Sequence, residues 1–324
     1  MALGMRSAYG VAATPFTKGP YRIDQHVTFE AGMTGTMVGK AGKIYYVDEE
    51  NGNNNNDGLT PSTAKATILG ATALCRDDYS DDAEYHVFIF PGSYDETEDL
   101  RLYGHGIHLH GMGIPGSDSG VNITDTNVTY APILLAGANC TIENIYFIQT
   151  SASNSTYGAI YAIAADNCMI RNCTFKNSSG TGTNAILIDD MRKSTITGCT
   201  FGDAGTSFTN NIHAETGADK YLINSRIEDN QIYSDNAAAK GIYIHADCLC
   251  YGTVITRNYI NLGKATGASV GIDNDNTNVC LIADNFVVMA SGDTPIESAS
   301  SPTGIVGNHT LAGTTTVDPN EAAD

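Results

Sequence analysis

One short pattern recurs seven times in the second half of the chain, and it restricts the fold more than any other feature. Each copy opens with isoleucine, leaves two positions, then places Asn, Cys or Ile, one further residue and usually an apolar one. The copies are Ile142-Glu-Asn-Ile-Tyr-Phe147, Ile170-Arg-Asn-Cys-Thr-Phe175, Ile196-Thr-Gly-Cys-Thr-Phe201, Ile227-Glu-Asp-Asn-Gln-Ile232, Ile255-Thr-Arg-Asn-Tyr-Ile260, Ile282-Ala-Asp-Asn-Phe-Val287 and the degenerate Ile305-Val-Gly-Asn-His-Thr310. The leading isoleucines lie 28, 26, 31, 28, 27 and 23 residues apart. A second column, Ile133, Ile160, Ile186, Ile212, Ile242, Ile272 and Ile296, drifts with nearly the same irregular period. Two columns that drift together imply units stacked on their neighbours, which lets 324 residues share one continuous core.

A period in the twenties also suits leucine-rich repeats, but leucine is scarce here. Instead β-branched and polar residues alternate between turns rich in Gly, Ser, Asn and Thr. The expected fold is all-β: a right-handed parallel β-helix of about nine to ten coils, three short strands per coil, with a short N-terminal capping helix. In it Ile142, Ile170, Ile196, Ile227, Ile255, Ile282 and Ile305 form an inward stack, about 4.8 Å per coil. Asn230, Asn258, Asn285 and Asn308 share one column at the bend after the first strand, where an asparagine can take up the left-handed conformation and bond amide to amide. Earlier coils hold Ile145, Cys173 and Cys199 there, and Cys140, Cys168 and Cys280 lie two positions before leading isoleucines. Five of the eight cysteines thus read as buried thiols. Cys248 and Cys250 share a strand face, but further ligands are not evident and no metal site is expected there.

Composition narrows the partners. Acids outnumber bases 36 to 17, a net charge of −19, which repels nucleic acid and anionic membrane. No run of 18 apolar residues is present, so no membrane-spanning helix is expected. The first twenty residues show no basic region followed by an apolar stretch, so a Sec-type signal peptide is not expected.

Residues 1–42 carry no repeat and read as an N-terminal arm or anchor. Residues 43–80 supply an opening strand at Tyr45–Val47, an Asn/Gly loop and a helix from Ile68 to Cys75 that covers the open end of the solenoid. Residues 81–312 are the coils, and the acidic tail 313–324 has the composition of a disordered segment. The run Tyr46-Val-Asp48, the Asn/Gly loop, Asp57-Gly-Leu-Thr-Pro-Ser62 and Ala66-Thr-Ile68 resembles the leading motif of pectin-lyase-like β-helix proteins, and Pro91-Gly-Ser-Tyr94 after an apolar strand resembles their first turn. That resemblance implies the fold and, through the viral members, trimers; it does not imply an activity, since the fold hosts lyases, hydrolases, adhesins and viral spikes.

Several groups could carry chemistry. Gly104-His105-Gly106 and Asp189-Asp190 stand in the reverse of the order used by pectin-cleaving hydrolases, and about three coils should separate His105 from Asp190. Asp166, Asp189 and Asp190, with Arg192 and Lys193, form the best lyase-like cluster, although aspartate is also a turn residue. The loop Asp48–Asp57 is oxygen-rich enough to hold Ca²⁺ but lacks the closing Glu of a twelve-residue calcium loop; apart from this, no cofactor is expected. His105, His108 and His110 look like a metal triplet, yet no carboxylate partner is evident and no metal site is expected. Tyr157, Tyr161, Tyr243, Tyr251 and Tyr259 could present a sugar-binding surface.

The expected function is a non-enzymatic structural protein of a tailed-phage virion, a capsid decoration, head fibre or spike. It is made in the host cytoplasm, displayed on the virion surface, and joined to other virion proteins through the arm. A homo-oligomer and a cell-surface glycan complete the expected partners; nucleic acid and membrane are not among them. The alternative is a depolymerase-like polysaccharide lyase or glycoside hydrolase acting on acidic glycans, and a cell-surface adhesin is the third reading.

Overall fold

The computed structural model describes residues 42–77, 83–96, 98–117, 119–125, 131–150, 157–178, 183–202, 208–215, 217, 219–263, 265, 267–276, 280–299, 304–312 and 316–319. The N-terminal arm expected for residues 1–42 falls almost wholly outside them. Within them the chain winds as a parallel β-solenoid of short strands.

The first sheet has ten strands, from Ile44–Val47, Tyr85–Ile89, Ile107–Gly111 and Thr141–Glu143 to Gly304–Val306. The second also has ten, from Gly92–Glu96 through Ile145–Gln149 to His309–Ala312 and Thr316–Pro319, and the third has eight, from Leu100–Leu102 to Thr294–Ser298. A fourth sheet, absent from the three-strand expectation, stacks Ala165–Asp166, Asp190–Arg192, Tyr221–Ile223 and Leu249–Tyr251. It forms because Ala165, Met191, Leu222 and Cys250 point inward there and extend the core into the returning segment.

Register explains the repeat. Tyr45, Val87, Leu109, Ile142, Ile170, Ile196, Ile227, Ile255, Ile282 and Ile305 pair one above the next in the first sheet. Ile142 to Ile282 are at most 1% exposed, whereas Ile305, at the end of the stack, is half-buried. The second column is equally continuous, running from Leu100 through Ile133 to Ile296. In the second sheet Phe147, Phe175 and Phe201 stack with centroids 5.1 and 4.8 Å apart and nearly parallel rings. Each buried large apolar side chain contributes about 1.5–3 kcal/mol, so strand register and core burial specify the same alignment.

The asparagine ladder is present, but its bend geometry differs from the expectation. The left-handed residues are those just before it, Asp229, Arg257 and Asp284, with φ of 54–57°. These expose their side chains while Asn230, Asn258, Asn285 and Asn308 turn inward. A second left-handed column, Asn139, Asn167, Lys193 and Asn224, enters the first sheet, so each middle coil reaches and leaves that strand through a tight bend. Between bend and strand lies another buried ladder: Cys140 N–H donates to Cys168 Sγ (3.4 Å), Cys168 N–H to Ser194 Oγ (2.8 Å), and Ser194 N–H to Ser225 Oγ (3.2 Å).

All eight cysteines are buried free thiols. At the N-terminal end the helix Ile68–Asp77 buries Ile68, Ala71 and Cys75 against the first coil. At the other end Thr316–Pro319 pairs antiparallel with His309–Ala312. Part of the tail expected to be disordered therefore covers an open strand edge, where backbone groups gain ladder bonds.

Candidate functional site

The lyase-like cluster resolves into two ion-paired groups. Arg192 lies on the same strand as Asp190, two residues on, and its fork bonds both carboxylate oxygens at 2.8 and 3.0 Å. Its guanidinium also sits 4.3 Å above the Tyr221 ring. Asp189 leaves the preceding strand on the other side of the bend, accepts from Tyr161 Oη at 3.0 Å and pairs with Lys220, which also reaches Glu215 at 3.7 Å. Asp166 is half-exposed and has Lys193 Nζ at 3.9 Å. The Asp190 hydrogen bond holds Arg192 above its ordinary pKa. Burial opposes protonation of Lys220, but its bond to Asp189 and the charges of Asp189 and Glu215 outweigh that and raise it. Burial first, and then the Asp189 charge, push the Tyr161 hydroxyl upward too. A general base works best with a pKa near the operating pH, and these three groups move away from it.

His105 accepts from Ala138 N–H at 3.2 Å, and Ala138 bridges to Asp166, which pairs with Arg192. His105 thus stands three coils from Asp190, as its sequence position implies. In the Asp48–Asp57 loop the carboxylates face the loop itself: Asp48 accepts from Glu50 and Asn51 N–H at 3.1 and 3.0 Å, and Asp57 from Leu59 N–H and Thr63 Oγ1 at 3.0 and 2.7 Å. The Thr63 bond lowers the Asp57 pKa.

The tyrosines do not form one surface. Tyr161 and Tyr243 face out of the third sheet, Tyr251 out of the fourth and Tyr259 out of the second. Tyr259 instead joins an outward strip with Phe286, stacked at 5.6 Å and 7°, and with Tyr233 at 5.8 Å. Phe286 is 41% exposed.

The histidines form a different group from the one expected. His108 and His110 share the outer face of the first sheet, joined by His86 on the coil before rather than by His105. The rings of His86 and His108 stack at 4.7 Å and those of Phe88 and His110 at 5.0 Å. His86 Nδ1 lies 2.9 Å from His110 Nε2, and His110 Nδ1 lies 2.6 Å from Glu143 Oε1, whose other oxygen takes Arg171. His108 Nδ1 meets Thr141 Oγ1 at 3.0 Å. Burial and the neighbouring imidazoles lower the His108 pKa to about 4, and burial lowers that of His86. The carboxylate partner that sequence spacing does not reveal is Glu143, one coil below His110. His86 was missed because it stands 22 residues before His108, and only register brings the two together.

A hollow of about 330 Å³ near the helix is lined by Leu69, Thr72, Arg76, Glu98, Asp99 and Arg101. Among the described residues no helix is long and apolar enough to cross a membrane.

No protein-family model matches the chain, and a search of curated proteins returns no match. Solved structures of similar shape include the tailspike protein of E. coli bacteriophage HK620 in complex with a pentasaccharide, at 16% identity and a TM-score of 0.45. That match covers 70% of this chain and 44% of the tailspike, so the chain spans less than half the tailspike's length. Escherichia coli ybhc matches at 14% identity and a TM-score of 0.48, covering 92% of this chain and 79% of its own. PfbA, a surface adhesin of Streptococcus pneumoniae, matches at 13% and 0.44, covering 75% of each. Identification of the fold rests on the strand pairings themselves. By those pairings this chain is a parallel β-helix protein.

Proposed function

We propose that the chain is a non-catalytic structural protein of a tailed-phage virion, presenting a rigid β-helix on the particle surface. The internally neutralised Asp189–Asp190–Arg192 group carries the non-catalytic part of this reading. Its carboxylates are bonded to cations of their own coil or the next, and its cations are held protonated. In-register apolar columns along the solenoid, and buried ladders from Cys140 to Asn308, support the rigid-rod part. Placement on a virion rests on the sequence, an acidic solenoid whose fold suits outward display. The test is turnover of a panel of acidic glycans by the purified chain, together with mass spectrometry of purified particles. The reading expects no cleavage and the chain present at stoichiometric abundance. Robust cleavage, abolished by Asp189→Ala or Asp190→Ala, would establish the depolymerase instead.

One observation favours a glycan as what the surface meets. Tyr259 and Phe286 stack on successive coils with Tyr233 tilted against Tyr259, an aromatic strip of the kind a sugar ring lies against. A glycan array probed with the native chain and with Phe286→Ala tests it: a hit lost in the variant supports the strip, and an unchanged hit assigns the glycan elsewhere.

A further inference from the structure

The geometry points to a divalent transition-metal site, of the Zn²⁺ class, built by Glu84, His86 and His108 at the N-terminal end of the solenoid. One ligand atom from each of the three lies within 4.8 Å of the other two. Two imidazoles and a carboxylate are a borderline-soft donor set that suits Zn²⁺ and leaves a fourth position open. Glu84 is exposed and the two histidines half-buried, so the group lies on the outer face of the sheet.

The hydrogen bonds around the group bear on which nitrogen each histidine offers. Glu143 is paired with Arg171 and, when ionised, can only accept, so His110 Nδ1 must donate to it. His110 in its neutral form then presents Nε2 as an acceptor, and His86 Nδ1 donates to that nitrogen. Thr141 Oγ1 can accept or donate, so it fixes no tautomer of His108, and the metal-binding form is the one in which Nδ1–H donates to that hydroxyl. In that form both histidines offer the Nε2 lone pair to an ion. His108 Nε2 is buried and has no hydrogen-bond partner among the described residues, an unmet polar atom for which a stacked aromatic role gives no reason. A metal-bound histidine whose second nitrogen is fixed by a carboxylate or hydroxyl is the usual second shell of such a centre, and here it runs through four side chains, His86, His110, Glu143 and Arg171.

Backbone shape also favours the site. Gly106 has φ +66°, and a Cβ there would come within 3.2 Å of Glu84 Cγ and 3.0 Å of the Ala83 carbonyl. Glycine at this bend keeps the Glu84 stem free beside the histidine pair. Because His86 and His108 lie on adjacent coils, a bound ion would tie the first two full coils together across the outer face of the sheet.

The experiment is titration of the full-length, metal-stripped chain with Zn²⁺ by calorimetry, with Co²⁺ as a spectroscopic substitute. The proposal expects one high-affinity equivalent per chain and Co²⁺ visible bands without a thiolate charge-transfer band. His108→Asn keeps a polar atom at the Nδ1 position while removing Nε2, and should abolish that equivalent. Glu84→Gln, at an exposed position, should weaken it, and Glu143→Gln should weaken it by about 10–100-fold through the second shell. His309→Asn, an exposed histidine at the far end, should change nothing. Unaltered circular dichroism would show that the variants fold. No tight equivalent in the native chain, or one that survives both His108→Asn and Glu84→Gln with unchanged affinity, would overturn the assignment.

Discussion

Asn258 Nδ2 donates to Asn285 Oδ1 at 2.9 Å, and the same oxygen accepts the backbone N–H of Asn258 at 3.0 Å. The Asn258 amide also donates to the Ile227 carbonyl one coil back, at 2.9 Å. One buried side chain therefore bonds groups on the coil before and the coil after its own, and Asn230 and Asn285 repeat the arrangement. A bend that packs inward has few other ways to pair its backbone donors.

Replacing Asn258 with Leu fills a similar volume but strands the Asn230 N–H and amide. The expected cost is about 1–3 kcal/mol, read from the urea midpoint. Leu at the exposed neighbour Arg257 should cost far less of the ladder, though it loses the ion pairs with Glu228 and Asp229.

The core stack should show position dependence. Ile196→Ala, at a fully buried central rung, should destabilise the fold by about 2–5 kcal/mol. Ile305→Ala, half-buried at the end of the column, should cost clearly less in the same denaturation experiment.

Acid sensitivity should arise on the outer face of the first sheet. The Arg226 hydrogen bond lowers the Glu228 pKa below 4.5, and the Arg257 bond lowers that of Asp229 below 3.8. A depressed folded-state pKa gives stability that is whole above the ordinary carboxylate value. That stability disappears as pH falls from there through the lowered values. Thermal midpoints should therefore drop below about pH 4.5, and the double change Glu228→Gln with Asp229→Asn should make that acid limb shallower. Asp229 is half-exposed, so its share of the change in slope should be small.

Thiol chemistry should be silent in the native state. Burial pushes Cys248 up to about 12 and Cys173 well above its ordinary value, and all eight thiols are buried. A thiol reagent at neutral pH should find almost no reactive cysteine until denaturant is added, and then all eight. Rapid native labelling of any of them would contradict the packing described.

The coil was readable because its apolar residues carry two constraints at once, strand alternation and the inter-coil period. The columns through Ile142 and Ile133 and the asparagine ladder follow from that double periodicity, whereas the opening strand and the helix from Ile68 were read from the leading segment that precedes the repeat. The bends were read one residue late, because asparagine is suited both to the left-handed position and to the ladder beside it. Asp229, Arg257 and Asp284 take the first role, and nothing about an arginine announces it. The fourth sheet was hidden because strands of two or three residues are too short for alternation to show. The histidine group escaped for a further reason: His86 and Glu143 meet His110 only through inter-coil register, which leaves no local spacing to read. Cys140 and Cys168 were legible as inward residues, but Ser194 and Ser225 continuing their column were not, since serine at a bend looks solvated.

The claim on which the rest depends is that successive coils align residue for residue, and engineered disulfides on the outer face of the second sheet test it most directly. Thr174 and Thr200 are register partners, while Lys176 sits two positions along from Thr174. Thr174→Cys with Thr200→Cys should close a disulfide under mild oxidation, because partners about 4.8 Å apart lie within bridging range. Lys176→Cys with Thr200→Cys should remain reduced. Closure of the diagonal pair with the aligned pair left open would contradict the register and, with it, the stacked core.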